Sequence, residues 1–460
     1  MTHEEQQFRR MTQTPVDKLI LSLGIPTVIS TLATNIYNLV DTYFVGTIGT
    51  SASGATGVVF GLMAILQAFG FMLGHGSGTN ISARLGARKT MEAREFSSTG
   101  FWLSILSGSV IMVIGLLFMN PLMRLLGSTK TILPYARTYG FYILIAGPAF
   151  TSSCVMNNIL RYEGMASYAM IGLTAGGVLN IFGDYLMVRV LGMGIGGAGL
   201  STTISQYISM ILLIIPFLTG RVESRLNIRY FTRRWSTVGR ILWNGMPSLT
   251  RQGLGAVSTI VINGCAGVYG DAALAAMSIV NRITSFLFCI VIGIGQGFQP
   301  VSAFNYGAGK YSRVRGGFRF VMKLGMILMA ILGAAAFCLA GPFVQLFRDD
   351  PEVISIGKVA LRLQCCCLWL IPISLYGNML FQSIGKGGTA TYLSSMRSGL
   401  VMIPMVVVLT ALFRLKGLES AQTVSDVISA MLSLPIILRF YRTDLMAPDT
   451  VPESSLPVDS

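Results

Sequence analysis

Twelve apolar runs, separated by polar or charged turns, dominate this chain and leave little choice of fold. They lie at about 17–45, 53–78, 94–119, 132–158, 166–188, 196–219, 240–266, 272–298, 315–340, 355–380, 391–412 and 419–440. Each is near or above the roughly 20 residues that a helix needs to cross a bilayer. The expected fold class is all-α integral membrane, with twelve transmembrane helices in two six-helix lobes related by a parallel repeat. Charged residues make up 12% of the chain, about half the roughly 25% usual in a soluble domain. That argues against a soluble enzyme. No cleavable signal is expected, because the apolar stretch behind the polar opening MTHEEQQFRRMTQTPVDK is too long for a signal core. Residues 441–460, rich in Pro, Asp and Ser, read as a short disordered cytoplasmic tail.

The net charge of +15 would suit a nucleic-acid binder in a soluble protein. Here the positive-inside rule accounts for it, and no nucleic-acid partner is expected. With the N-terminus inside, the inner segments hold most of the 34 Lys and Arg, counting Lys386 and Arg397 with the segment 386–397. Arg251, Arg282 and Lys323 are assigned to spans. Both termini are therefore expected in the cytoplasm, and the protein in the inner or plasma membrane. The longest polar connection, GRVESRLNIRYFTRRWSTVGR at 220–240, is a basic cytoplasmic linker. It separates an N-lobe, 1–219, from a C-lobe, 241–440.

The two halves match each other. A shift of 221 residues lays Gly24 on Gly245, Pro26 on Pro247, Gly74 on Gly295, Gly76 on Gly297, Asn157 on Asn378 and Gly164 on Gly385. Six spans is an even number, so both halves enter the membrane from the same side and the repeats are parallel. Two six-helix lobes with a cleft between them suit a transporter that works by alternating access.

LGIPTVISTLATNIYNLVDTYFVG resembles the first span of bacterial multidrug and toxic compound extrusion (MATE) transporters. GVLNIFGDYLMV at 177–188 resembles the polar pattern of that family's fifth span, and GIGQGFQPVSAFNYGAGK at 293–310 its signature between spans eight and nine. The resemblance covers about 15–440. It implies export of organic cations, drugs and antibiotics among them, in exchange for Na+ or H+. No metal cluster, catalytic triad or nucleotide motif can be assembled from the sequence, so no enzyme activity is expected, and no cofactor beyond the coupling ion.

Acids inside transmembrane spans are functional candidates, and there are three: Asp41, Asp184 and Asp426. Asp41 lies five residues before Gly46, about 8 Å below the outer end of an outward-running span. Asp184 ends the fifth span, with Asn180 one turn earlier on the same face. Thr202 and Tyr139 fall early in spans that start outside. All five share one level in the outer half of the N-lobe. Two carboxylates, an amide oxygen and a hydroxyl are hard ligands for a small cation, and paired acids in low dielectric resist ionising together. The resemblance carries the same roles onto Asp41, Asn180, Asp184 and Thr202, with Tyr139 supporting them. At the 221 shift Asp41 becomes Ile262, Asn180 becomes Val401 and Asp184 becomes Met405. The scaffold is duplicated and the coupling site is not.

Asp426 is the only mid-span acid of the C-lobe, and it either contacts substrate or pairs with Arg251 or Arg282. Tyr37, on the face of Asp41, and Asn157, Asp426 and Arg251 are the candidate cavity residues. Pro26 and Pro247 kink the first span of each lobe, as a static bend or as a moving hinge. GHGSG at 74–78 suits close helix packing, since no strand precedes it and no Lys-Ser or Lys-Thr pair follows. No metal site is expected, and the seven Cys read as structural. A monomer is expected, with small cationic substrates and the lipid bilayer as partners. The alternative function is a lipid-linked saccharide flippase of the wider superfamily, which would need a basic cavity for pyrophosphate.

Overall fold

A computed structural model describes residues 3–449, and every regular element among them is helical. A polar helix, α1 (His3–Gln13), precedes the first apolar helix, α2 (Val16–Gly46). The first half continues with α3 (Thr50–Gly86), α4 (Thr90–Leu117), the short α5 (Met119–Leu125), α6 (Leu133–Tyr162), α7 (Ala166–Asp184) and α8 (Gly194–Leu218). The second half holds α9 (Trp235–Gly267), α10 (Asp271–Gly307), α11 (Tyr311–Cys338) and the short α12 (Ala340–Phe347). Next come α13 (Pro351–Cys367), α14 (Ile371–Ser383), α15 (Gly387–Ser395), α16 (Met402–Phe413) and α17 (Leu415–Thr443).

Among the described residues, eleven helices are long and apolar enough to cross a membrane, counting α13 with α14 and α15 with α16 as continuous spans. The expected span 240–266 corresponds to α9, which is 33 residues long but is not among the eleven. Arg240, Asn244, Arg251, Gln252 and Asn263 lower its hydropathy. Several helices outrun their apolar cores. α3 extends to Gly86 rather than residue 78, and α9 starts inside the expected linker. The first residues of the expected disordered tail are ordered. α17 runs to Thr443, and Asp449 accepts hydrogen bonds from the Ser312 backbone N–H, at 2.8 Å, and from the Ser312 hydroxyl. Residues 450–460 lie outside the described residues.

The repeat is visible in individual bonds. Asn157 Nδ2 donates to Ala169 O at 3.0 Å, joining α6 to α7, and Asn378 Nδ2 donates to Ala390 O, joining α14 to α15. Both partners are 221 residues apart. Gly164 and Gly385, which follow α6 and α14, share left-handed φ values of 84° and 81°.

The chain forms two compact units. One takes the described residues up to Arg10 together with Ile25–Gly245, and the other takes Met11–Gly24 together with the described residues from Met246 onward. The borders inside α2 and α9 thus fall one residue before Pro26 and Pro247, at equivalent points of the repeat.

In the first unit the basic linker is strapped to the first half of α4 and to the end of α6. Trp102 Nε1 donates to Leu226 O at 3.0 Å, Ser98 Oγ to Asn227 O at 2.8 Å, and Arg94 pairs with Glu223 at 3.1 Å. Glu163, just past α6 and 2% exposed, accepts from the backbone N–H groups of Glu223 at 2.8 Å and Ser224 at 3.0 Å. Burial outweighs these bonds and pushes the Glu163 carboxyl up from 4.5 to about 7. A carboxyl raised in the folded state favours folding fully below its unfolded pKa and loses that contribution as pH rises through the folded one. Hydrogen-exchange protection of the Glu223 and Ser224 amides, corrected for intrinsic rates, should therefore fall between about pH 4.5 and 7 and level off above. Glu163→Gln should flatten that profile. A wild-type profile already flat across the window would remove Glu163 as the titrating group.

Candidate functional site

Asp41 sits five residues before the end of α2, and Tyr139 lies in the second turn of α6. The Tyr139 phenol donates to Asp41 Oδ2 at 2.9 Å. Asp184 is the last residue of α7 and is fully enclosed, and its carboxyl faces Asp41 and Ser201. The helix widens into a π-helical segment, Tyr185–Val190, directly after it, a local irregularity common at functional sites. Asn180 is buried one turn earlier and donates Nδ2 to Thr202 Oγ1 at 3.1 Å. The five residues that the sequence pattern grouped by depth are thus drawn from α2, α6, α7 and α8 into one cluster.

The hydroxyl protons of this cluster all have acceptors. Tyr139 donates to Asp41, Ser201 to Asn180 O at 3.0 Å, and Thr202 to Ala198 O at 3.1 Å. Four buried oxygens have no hydrogen-bond donor among the described residues: Asp41 Oδ1, both carboxylate oxygens of Asp184, and Asn180 Oδ1. Buried acceptors are nearly always paired, so an unpaired group of four is an exception that needs a cause. A bound cation can be ligated by all of them, whereas a proton shared between the two acids pairs two of the carboxylate oxygens. Apolar side chains enclose the site. Val45, Val59, Leu62, Ile143, Val188 and Ile195 form one buried cluster with Tyr139. In such surroundings two carboxylates cannot both stay ionised without a counter-charge.

The other candidates are placed as follows. Tyr37 packs on Gly177 of α7, where an added Cβ would come within 2.9 Å of its ring. Asn157 commits its amide to Ala169 O, a helix-to-helix bond that its repeat mate also makes. Arg251 Nη1 donates to Asn378 Oδ1 at 3.4 Å. Pro26 and Pro247 lie inside α2 and α9. GHGSG packs closely, since Cβ atoms on Gly74, Gly76 and Gly78 would collide with Asn158, Ile241 and Tyr162.

Asp426 pairs with Arg397, whose Nε lies 3.1 Å from Asp426 Oδ1. Sequence reasoning missed Arg397 by counting it with an inner loop. It lies inside the apolar helix Gly387–Phe413. The signal was present, since residue 397 falls within the expected span 391–412.

The repeat mate of Asp41 in the second half has uncharged surroundings. Ile262, in the place of Asp41, lines a cavity of about 30 Å³ with Thr259, Asn263, Gln364 and Gln422. That is room for about one water molecule.

Comparison with known proteins agrees with the fold. The MatE family model fits residues 26–186 and again 247–408, two matches whose starts are 221 residues apart. The multidrug export protein MepA of Staphylococcus haemolyticus is 26% identical over 435 residues, covering 94% of this chain and 96% of its own. MepA of Staphylococcus aureus is 25% identical over 449 residues, covering 97% and 98%. Among solved structures, a MATE protein in the straight conformation superimposes with a TM-score of 0.89 at 23% identity, over 95% of this chain and 99% of its own. A transporter of the MOP superfamily from Pyrococcus furiosus, described as having a binding pocket of reverse polarity, superimposes with a TM-score of 0.90 at 22% identity, over 96% and 99%.

Proposed function

The chain belongs to the MatE family of multidrug-export transporters, and from that premise we propose that it is a cation-coupled antiporter exporting lipophilic organic cations by alternating access. The observation that carries the coupling is the group of four donor-free oxygens on Asp41, Asp184 and Asn180. A proton or Na+ entering from outside binds between the two carboxylates, with Tyr139 holding Asp41 in place and, for Na+, Asn180 and Thr202 as further oxygen ligands. Charge compensation then changes the cost of burying Asp41, and α2 responds at Pro26, where the border between the compact units crosses it. Pro247 has the same place in α9. Tyr37, beside Asp41 on the same helix, offers a flat ring to a cationic substrate. The protein acts in the plasma membrane with both termini in the cytoplasm, as a monomer. The flippase alternative fits less well, because the enclosed cluster of the first unit is acidic.

Purified protein in liposomes loaded with a cationic dye tests this reading under an imposed Na+ gradient and, separately, an imposed proton gradient. Dye movement should accelerate under one gradient and reverse with its sign. Movement independent of both gradients excludes coupling to either ion.

A further inference from the structure

Arg397 lies on a π-helical turn, Met396–Leu400, inside the apolar helix Gly387–Phe413. It is ten residues from Gly387 and sixteen from Phe413, about 15 Å and 24 Å at 1.5 Å per residue. Asp426 lies eleven residues into α17, about 16 Å from that helix's start. The pair therefore meets deep in the span, where an arginine side chain is too short to carry its charge to either interface. A guanidinium there must face a partner, a water-filled cavity or a ligand.

Its partners engage only part of it. Nε donates to Asp426 Oδ1 at 3.1 Å, and the guanidinium lies over the Phe288 ring with Cζ 4.6 Å from the centroid. The Nη1 and Nη2 groups, four N–H donors, have no partner among the described residues. The acid is closed off instead. Asp426 Oδ2 accepts from Gln422 Nε2 at 3.3 Å, and the Asp426 side chain is 2% exposed against 18% for Arg397. The pair is neutral overall but presents only donors to its surroundings. Nor does the fold require it, since Arg397 and Asp426 answer Gly176 and, with a one-residue slip, Gln206 in the first half.

We propose that Arg397 is a substrate-recognition residue that takes the carboxylate of zwitterionic aromatic substrates on its free Nη edge, with Phe288 as an apolar wall. The planar fork matches a carboxylate in bidentate geometry. A purely anionic ligand would leave the Arg397–Asp426 pair with a net negative charge in a low-dielectric site, whereas a zwitterion brings its own compensating cation. The inference deepens the exporter reading and rests on it for the substrate's cationic part.

Equilibrium binding to the purified full chain tests it, with two probes: a rhodamine-type diaminoxanthylium dye whose free carboxylate makes it zwitterionic, and the methyl ester of that dye, a monocation. Arg397→Gln alone strands Asp426, so the informative variant is the Arg397→Gln, Asp426→Asn double, which is neutral, isosteric at 426 and shorter by two heavy atoms at 397. The preference of the wild type for acid over ester should fall by about tenfold in the double variant, with ester affinity within about twofold of wild type. Arg397→Lys, which keeps the charge without the fork, should fall between. An unchanged preference, or equal loss of both probes, overturns the assignment. Export of the ester dye is measured alongside. Its absence with an Arg397-dependent preference intact would sink the exporter reading and leave this one standing.

Discussion

Asp184→Asn should reduce gradient-driven dye export by about 100-fold while leaving the protein at least as stable as the wild type. The two halves of that expectation come from one geometry. Asp184 is fully enclosed, faces Asp41, and has no donor for either oxygen. A carboxylate held that way is costly to bury, so its neutral isostere should relieve the fold rather than damage it. The same change removes one of the two carboxylates proposed to hold the coupling ion and introduces an amide N–H into a site made of acceptors. Asp41→Asn should behave alike. Tyr139→Phe should cost less, about tenfold, because it removes one hydrogen bond to a charged group at Asp41 Oδ2. Thermal unfolding and transport by the same purified variants provide the check. Full transport by Asp184→Asn would end the coupling role, and lost transport with lost stability would recast the pair as structural.

The site was legible in the sequence because depth along a helix is set by residue count alone. Asp41 before Gly46, Asp184 at the end of a span, and Tyr139 and Thr202 early in theirs all fall at one level by counting. Offset 221 was legible for the same reason, and it reappears in Asn157 and Asn378, whose amides make the same bond in each half. Rotation about a helix axis is less readable. It decides that Asp426 meets Arg397, and the π-helical turn at Met396–Leu400 alters it locally. The role of Asn157 was hidden too, because an intramembrane amide reads the same whether it serves a substrate or a neighbouring carbonyl. Assignment of Met11–Gly24 to the second compact unit depends on contacts far apart in sequence, which no local pattern carries.

Gly76→Ala and Gly297→Ala should each destabilise the protein by about 1–3 kcal/mol, at sites that carry no charge and touch no candidate ligand. A Cβ on Gly76 would lie 2.0 Å from Ile241 O and 3.1 Å from Gly245 N. A Cβ on Gly297 would lie 2.8 Å from Ile20 O and 2.5 Å from Gly24 N. Ile20 and Gly24 become Ile241 and Gly245 at the 221 shift, so these are the same close helix crossing made once in each unit. The obstacles are backbone atoms, which cannot rotate aside as a side chain would. Relief requires the helices to separate, with loss of dispersion contacts along the crossing. Gly57 and Gly253 are suitable controls, since a Cβ there meets nothing within 4 Å. Their Ala variants should be neutral or gain up to about 1 kcal/mol from helix propensity. The crossings also hold the stretches of α2 and α9 that lead into Pro26 and Pro247, so the variants should slow gradient-driven export beyond what the lost folded fraction explains. Unfolding midpoints and transport rates per folded molecule separate the two effects. Equal stability for the Gly76 and Gly57 variants would show that the crossing can open without cost.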